Sequence, residues 1–176
     1  AVSRWGDSVP PAQSSPEGAS AVDAPAGHYL IEQGVPPTQC NSYGARRGNH
    51  EVMVRGTFAN LRLRNHLVPG REGGFTRHLP SGDILTIFDA AQRYEAEGVP
   101  LIIIAGREYG SGSSRASAAK GPRLLGARAA LAESFERTHR SHLIGMRASP
   151  SEVVRCPHLA TLGLEGITLI TPPTLY

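Results

Sequence analysis

Cysteine is scarce in this 176-residue chain: Cys40 and Cys156 lie far apart, and neither has a second thiol beside it. There is no Cys-x-x-Cys pair, nothing supports a disulfide, and an iron–sulfur cluster needs three or four thiolates, more than this sequence offers. No apolar run approaches the roughly 20 residues of a membrane span, so no membrane partner is expected. Residues 1–20 have neither a basic start nor an apolar stretch, which predicts no secretory signal and a cytoplasmic location. Lysine is nearly missing as well. Lys120 is the one example, so the positive charge is almost all guanidinium. That bias suits bidentate recognition of carboxylate or phosphate, and a GC-rich genome would produce it too. A net charge of +3 says little by itself about nucleic acid.

What is present fits one domain, large enough to bury about 70% of its unfolded surface. Residues 1–27, rich in Pro, Ser, Ala and Gly, read as an irregular leader or linker, and residues 28–176 as the folded body. A short helical turn is predicted over 28–33 and strands over 51–54 and 75–79. A helix over 83–97 would have Asp83 as its N-cap and Gly98 beyond its end. The β-branched run 101–105 predicts a buried strand, followed by a helix from about Ser114 that Gly121-Pro122 should break. A second buried strand is expected over 127–132, a helix capped by Ser134 through 144, and a late strand over 166–170. Strand–helix–strand–helix alternation in the second half predicts an α/β fold with parallel pairing.

The glycine loop carries most of the chemistry. Gly106-Arg107-Glu108-Tyr109-Gly110-Ser111-Gly112-Ser113-Ser114-Arg115 joins a strand to a helix start, where unpaired amides stand next to a guanidinium. Such a corner suits a carboxylate or a phosphate. Three readings compete: a tight connection whose glycines serve geometry alone, a nucleotide site, and a carboxylate-binding catalytic loop. Against the nucleotide site, Arg115 occupies the third glycine position of the dinucleotide fingerprint, and no Gly-Lys-Ser/Thr follows. For a catalytic loop, a helix terminus shifts a pKa by only about one unit, so a serine base needs Arg115, more donors and a partner surface. Arg46, Arg47, Arg55, Arg62 and Arg64 could form an anion cluster or be ordinary solvated surface. His50, His66, His139 and His142 lack metal-ligand spacing, no metal site is expected, and the latter pair is expected at the surface.

Longer motifs point further. The segments Asn41-Ser42-Tyr43-Gly44-Ala45-Arg46-Arg47-Gly48-Asn49-His50-Glu51-Val52-Met53 and Arg55-Gly56-Thr57-Phe58-Ala59-Asn60, the glycine loop, Ala118-Ala119-Lys120-Gly121-Pro122-Arg123-Leu124-Leu125-Gly126 and Glu133-Ser134-Phe135-Glu136-Arg137 together resemble the C-terminal swivel domain of aconitases. The similarity is to the type that includes aconitase A and the iron regulatory proteins, and it is strong from about Asp23 to Met146.

That resemblance implies a swivelling β/β/α three-layer domain over 28–176, closing on a 4Fe-4S cluster bound by a partner domain or large subunit. It implies Ser113 as the catalytic base that removes the substrate's Cα proton. Ser114, Arg115 and Arg55 would bind substrate carboxylates. The implied activity is that of a hydro-lyase interconverting citrate and isocitrate through cis-aconitate, on a tricarboxylate or related hydroxyacid. The alternative it implies is a diverged, non-catalytic RNA-binding regulator of the iron regulatory type. Several positions depart from the family pattern. Gly6-Asp7-Ser8-Val9 leads into Pro10-Pro11-Ala12-Gln13, where the family carries an Asp-His segment, and Ala116-Ser117 replaces its Asp-Trp. His142 stands for an Asn, and Arg147-Ala148-Ser149-Pro150-Ser151 for an apolar stretch.

Overall fold

A computed structural model describes residues 3–4, 16–111 and 115–152. The fold is α/β. Its centre is a parallel sheet in the order β1 (Ser3–Arg4), β4 (Leu101–Ala105), β5 (Ala127–Ala132), β6 (Ser149–Glu152). A separate antiparallel pair joins β2 (Phe75–Arg77) to β3 (Ile84–Thr86). Among the described residues, five α-helices flank the sheets: α1 (Pro25–Glu32), α2 (His50–Gly56), α3 (Ile87–Ala96), α4 (Arg115–Leu124) and α5 (Arg137–Gly145). The crossovers α4 and α5 carry the chain from β4 to β5 and from β5 to β6, as parallel pairing requires.

The main core gathers Ile103, Ala105, Tyr109, Ile87, Phe58, Leu63 and Leu143. A smaller cluster holds Ala26, Leu30, Cys40, Tyr43 and Val52. Cys40 is a free thiol there; Cys156 lies outside the described residues. Each fully buried aliphatic side chain contributes about 1.5–3 kcal/mol.

The strands predicted over 101–105 and 127–132 form as expected. Residues 51–54 do not form a strand; they lie in α2. Asn49 caps that helix by accepting from the amides of Glu51 and Val52. The helix lies between the two clusters, with Val52 facing the smaller and Val54 the larger. Apolar residues needed on two sides mimic the alternation of a strand.

The helix predicted from Asp83 begins later, at Ile87. Residues 84–86 pair with β2, and Thr86 caps α3 by accepting from Asp89 N. Gly121-Pro122 does not break α4, which runs through to Leu124. A Cβ on Gly121 would collide with Thr57, so this glycine lets α4 seat against α2, and the packing outweighs the proline's cost of about 3 kcal/mol. Glu136, not Ser134, caps α5, accepting from His139 N. α1 opens at Pro25, within the stretch read as irregular, and Ala26 is fully buried. Pro suits a first helical turn. The strand expected over 166–170 lies outside the described residues.

Candidate active site

The glycine loop leaves the carboxyl end of β4 beside that of β5, the side on which open α/β sheets bind ligands. Its described part, residues 106–111, is fastened to the segment between β5 and α5 mostly through backbone groups. Tyr109 N donates to Ser134 O (3.0 Å), Glu136 N donates to Tyr109 O (3.0 Å), and Glu133 N donates to Gly106 O (3.2 Å). Glu108 N donates to Ser134 Oγ (2.8 Å), and Arg107 pairs with Glu133 at 3.2 Å.

Tyr109 drives this attachment inward. It is fully buried, edge-on to Phe135 (6.0 Å between centroids) and to His139 (5.0 Å). Burial pushes its phenol pKa well above the ordinary value, so the ring stays neutral. His139, expected at the surface, is fully buried against it, because it lies on the face of α5 that meets the loop. At Gly110, φ is +88°, and a Cβ would strike the His139 ring, so only glycine passes this point. Ser113 and Ser114 lie outside the described residues. Arg115 opens α4, but its side chain lies outside them too.

Arg55 is fully described. It stands in the last turn of α2, two residues before Thr57, the residue that meets Gly121 of α4. α2 is thus seated on the helix that follows the glycine loop. The Arg55 guanidinium lies against two rings, 4.4 Å from the Tyr29 centroid on α1 and 4.6 Å from Phe88 on α3. Its Nη1 donates to Glu51 Oε2 (2.5 Å) and to the Glu51 carbonyl (3.0 Å). The side chain is only 18% exposed, so this is a held cation and not a solvated one. The hydrogen bond from Arg55, ahead of the smaller influence of His50, holds the Glu51 carboxyl below its ordinary pKa.

Arg55 lines an open pocket of about 220 Å³ together with Asp23, Thr57, Leu61, Thr86 and Phe88. Thr57 also lines a second pocket of about 110 Å³, with Arg47, His50, Ser117 and Lys120. Two arginines of the expected cluster are spent elsewhere. Arg46 donates to the carbonyls of Cys40 and Gln39, and Arg64 pairs with Glu72. Among the described residues, no group of three or more His, Cys, Asp or Glu could hold a metal ion, and no helix is long and apolar enough to cross a membrane.

Tyr29, Phe88 and Glu51 escaped the sequence reading. The signal for Glu51 was there: Glu51 and Arg55 stand four apart, the spacing of a helical ion pair, which a strand reading of 51–54 conceals. The two rings come from separate elements, and no local pattern announces them.

The sequence matches the aconitase C-terminal domain family over residues 26–154. It is 61% identical over 161 residues to an aconitate hydratase A of Escherichia coli, covering 92% of this chain and 18% of that protein. An aconitate hydratase A of Thermus thermophilus is 58% identical over 161 residues, with the same two coverages. For one of Bacillus subtilis the identity is 52% over 169 residues, 96% of this chain and 19% of the relative. The chain thus spans less than a fifth of the length of these curated relatives.

Proposed function

The chain belongs to the aconitase C-terminal domain family, and from that we propose that it serves as the swivel domain or small subunit of an aconitase-like hydro-lyase. In this reading Ser113 removes the proton from the carbon α to a carboxylate of citrate or isocitrate. Ser114, Arg115 and Arg55 hold substrate carboxylates, and the hydroxyl on the neighbouring carbon departs to give cis-aconitate. Water re-adds in the other sense as the serine returns the proton. A 4Fe-4S cluster on a partner domain or subunit would act as Lewis acid toward that hydroxyl when bound. Two cysteines in the whole sequence do not furnish the ligands such a cluster needs, so the cluster belongs elsewhere.

The observation that carries the reading is the state of Arg55: a guanidinium largely withdrawn from solvent, held in one place, and lining an open pocket. Guanidinium groups take carboxylates side-on through two parallel N–H donors. The glycine loop adds support, since its fixed anchor at residues 106–111 leads directly to Ser113.

Two substitutions test the reading in the assembled enzyme. Ser113→Ala should abolish turnover while substrate affinity stays within about threefold, the signature of a lost proton-transfer group. Arg55→Ala should weaken citrate binding by at least tenfold. Normal turnover in Ser113→Ala, or unchanged citrate affinity in Arg55→Ala, would refute the assignment.

A further inference from the structure

We propose that Tyr29 and Phe88 are positioning residues for the substrate-binding guanidinium, clamping Arg55 so that its two uncommitted donor groups are presented to one carboxylate. The inference rests on the reading of Arg55 as a carboxylate ligand.

The clamp comes from three separate elements, α1, α2 and α3, which meet at one cation. Rings 4.4 and 4.6 Å from the same Cζ crowd the guanidinium and restrict the movement of its plane. Glu51 fixes the rotation within that plane, since both of its contacts are made by Nη1. Among the described residues no hydrogen-bond partner stands at Nε or Nη2. These two groups form the side-on edge of a guanidinium, the edge that matches a carboxylate bidentately.

The aromatic faces do two jobs. They stabilise the charge without consuming a donor, since a ring attracts a cation through its quadrupole and accepts no N–H in the guanidinium plane. They also order a long side chain before the ligand arrives, so less conformational entropy is lost on binding. Neither residue is placed to react. Tyr29 and Phe88 act through Arg55, and their loss should appear in binding and not in the chemical step.

The test uses the complete assembled enzyme, with citrate as the probe, and reads both calorimetric affinity and steady-state kinetics. Phe88→Leu and Tyr29→Leu should each weaken citrate binding about fivefold or more, the range a desolvated cation–π contact supplies, and raise KM in step. They should leave kcat within about threefold. Tyr29→Phe keeps the ring and should behave as the parent protein does.

Phenylalanine analogues at position 88 with increasing fluorination preserve the shape and drain the ring's electrons. Affinity should fall stepwise along that series, and this arm stands even if a leucine variant does not fold. Citrate affinity that is flat across the fluorinated series, or equal to the parent's in both folded leucine variants, overturns the clamp. Arg55→Ala separates the two claims. If it loses citrate affinity while the ring variants do not, only the clamp falls. If it binds citrate normally, the carboxylate reading falls and takes the clamp with it.

Discussion

Arg55 and the glycine loop are secured by opposite means. The guanidinium is held through its side chain, by two ring faces and one carboxylate, on a helix whose first turn exposes His50 and part of Glu51. The loop is held mainly through its main chain, by amide–carbonyl bonds to residues 133–136 and by one buried ring wedged between Phe135 and His139. Side-chain anchoring is graded: each contact can be weakened separately, and the cation stays near its place. Main-chain anchoring at a glycine is close to all-or-none, because any added carbon meets a ring. An enzyme of the proposed kind would therefore tune affinity at the first anchor and keep the reacting group fixed at the second.

The largest effect should come from emptying the wedge. Tyr109→Ala is expected to cost about 3–5 kcal/mol in unfolding free energy, read by denaturant titration. A cost below about 1 kcal/mol would mean that the backbone bonds alone hold the loop. Its counterpart, Tyr109→Phe, should be neutral or stabilising by up to about 1 kcal/mol, because the buried hydroxyl has no hydrogen-bond partner among the described residues.

Next in size is Gly110→Ala. Strain at positive φ together with the collision against His139 should cost about 2–4 kcal/mol. Combining it with His139→Ala should recover part of that loss in a double-mutant cycle, because the collision disappears with the ring. Full additivity would show that the ring is not the obstacle.

The smallest effect belongs to Arg55's carboxylate partner. Glu51 is titrated with its folded pKa lowered, so its contribution to stability is present above the unfolded value of about 4.3 and fades as pH falls through the folded one. Because Glu51 is substantially exposed, the contribution should stay below about 1 kcal/mol. Comparing the acid limb of the stability profile with that of Glu51→Gln would isolate it. A larger difference would make this anchor less graded than the contrast with the loop supposes.

Legibility in the sequence followed the range of the forces involved. Strands 101–105 and 127–132 could be read because each is a short, mostly apolar run that follows a Pro or a Gly, Pro100 and Gly126. The glycine loop was legible for the same local reason. Residues 51–54 were not, since Val52 and Val54 serve different cores and only tertiary packing reveals that both lie on one helix. Asp83 and Ser134 are good caps on intrinsic grounds, but pairing of 84–86 with β2 and the docking of 133–136 onto the loop moved both helix starts downstream. Within the candidate site, Arg55 was found from its motif. Its ring partners were not, because Tyr29 and Phe88 are separated from it by 26 and 33 residues, beyond the reach of any periodicity.

Gly121 has a mechanical corollary. Where it meets Thr57, two helices touch with almost nothing between them, and a joint that tight neither slides nor tilts without the methyl and hydroxyl of Thr57 being displaced. The segments bearing Arg55 and opening at Arg115 therefore travel as one piece. In an enzyme of the proposed kind, any opening that admits a ligand would bend at some other point of the molecule and keep the spacing between these two helices.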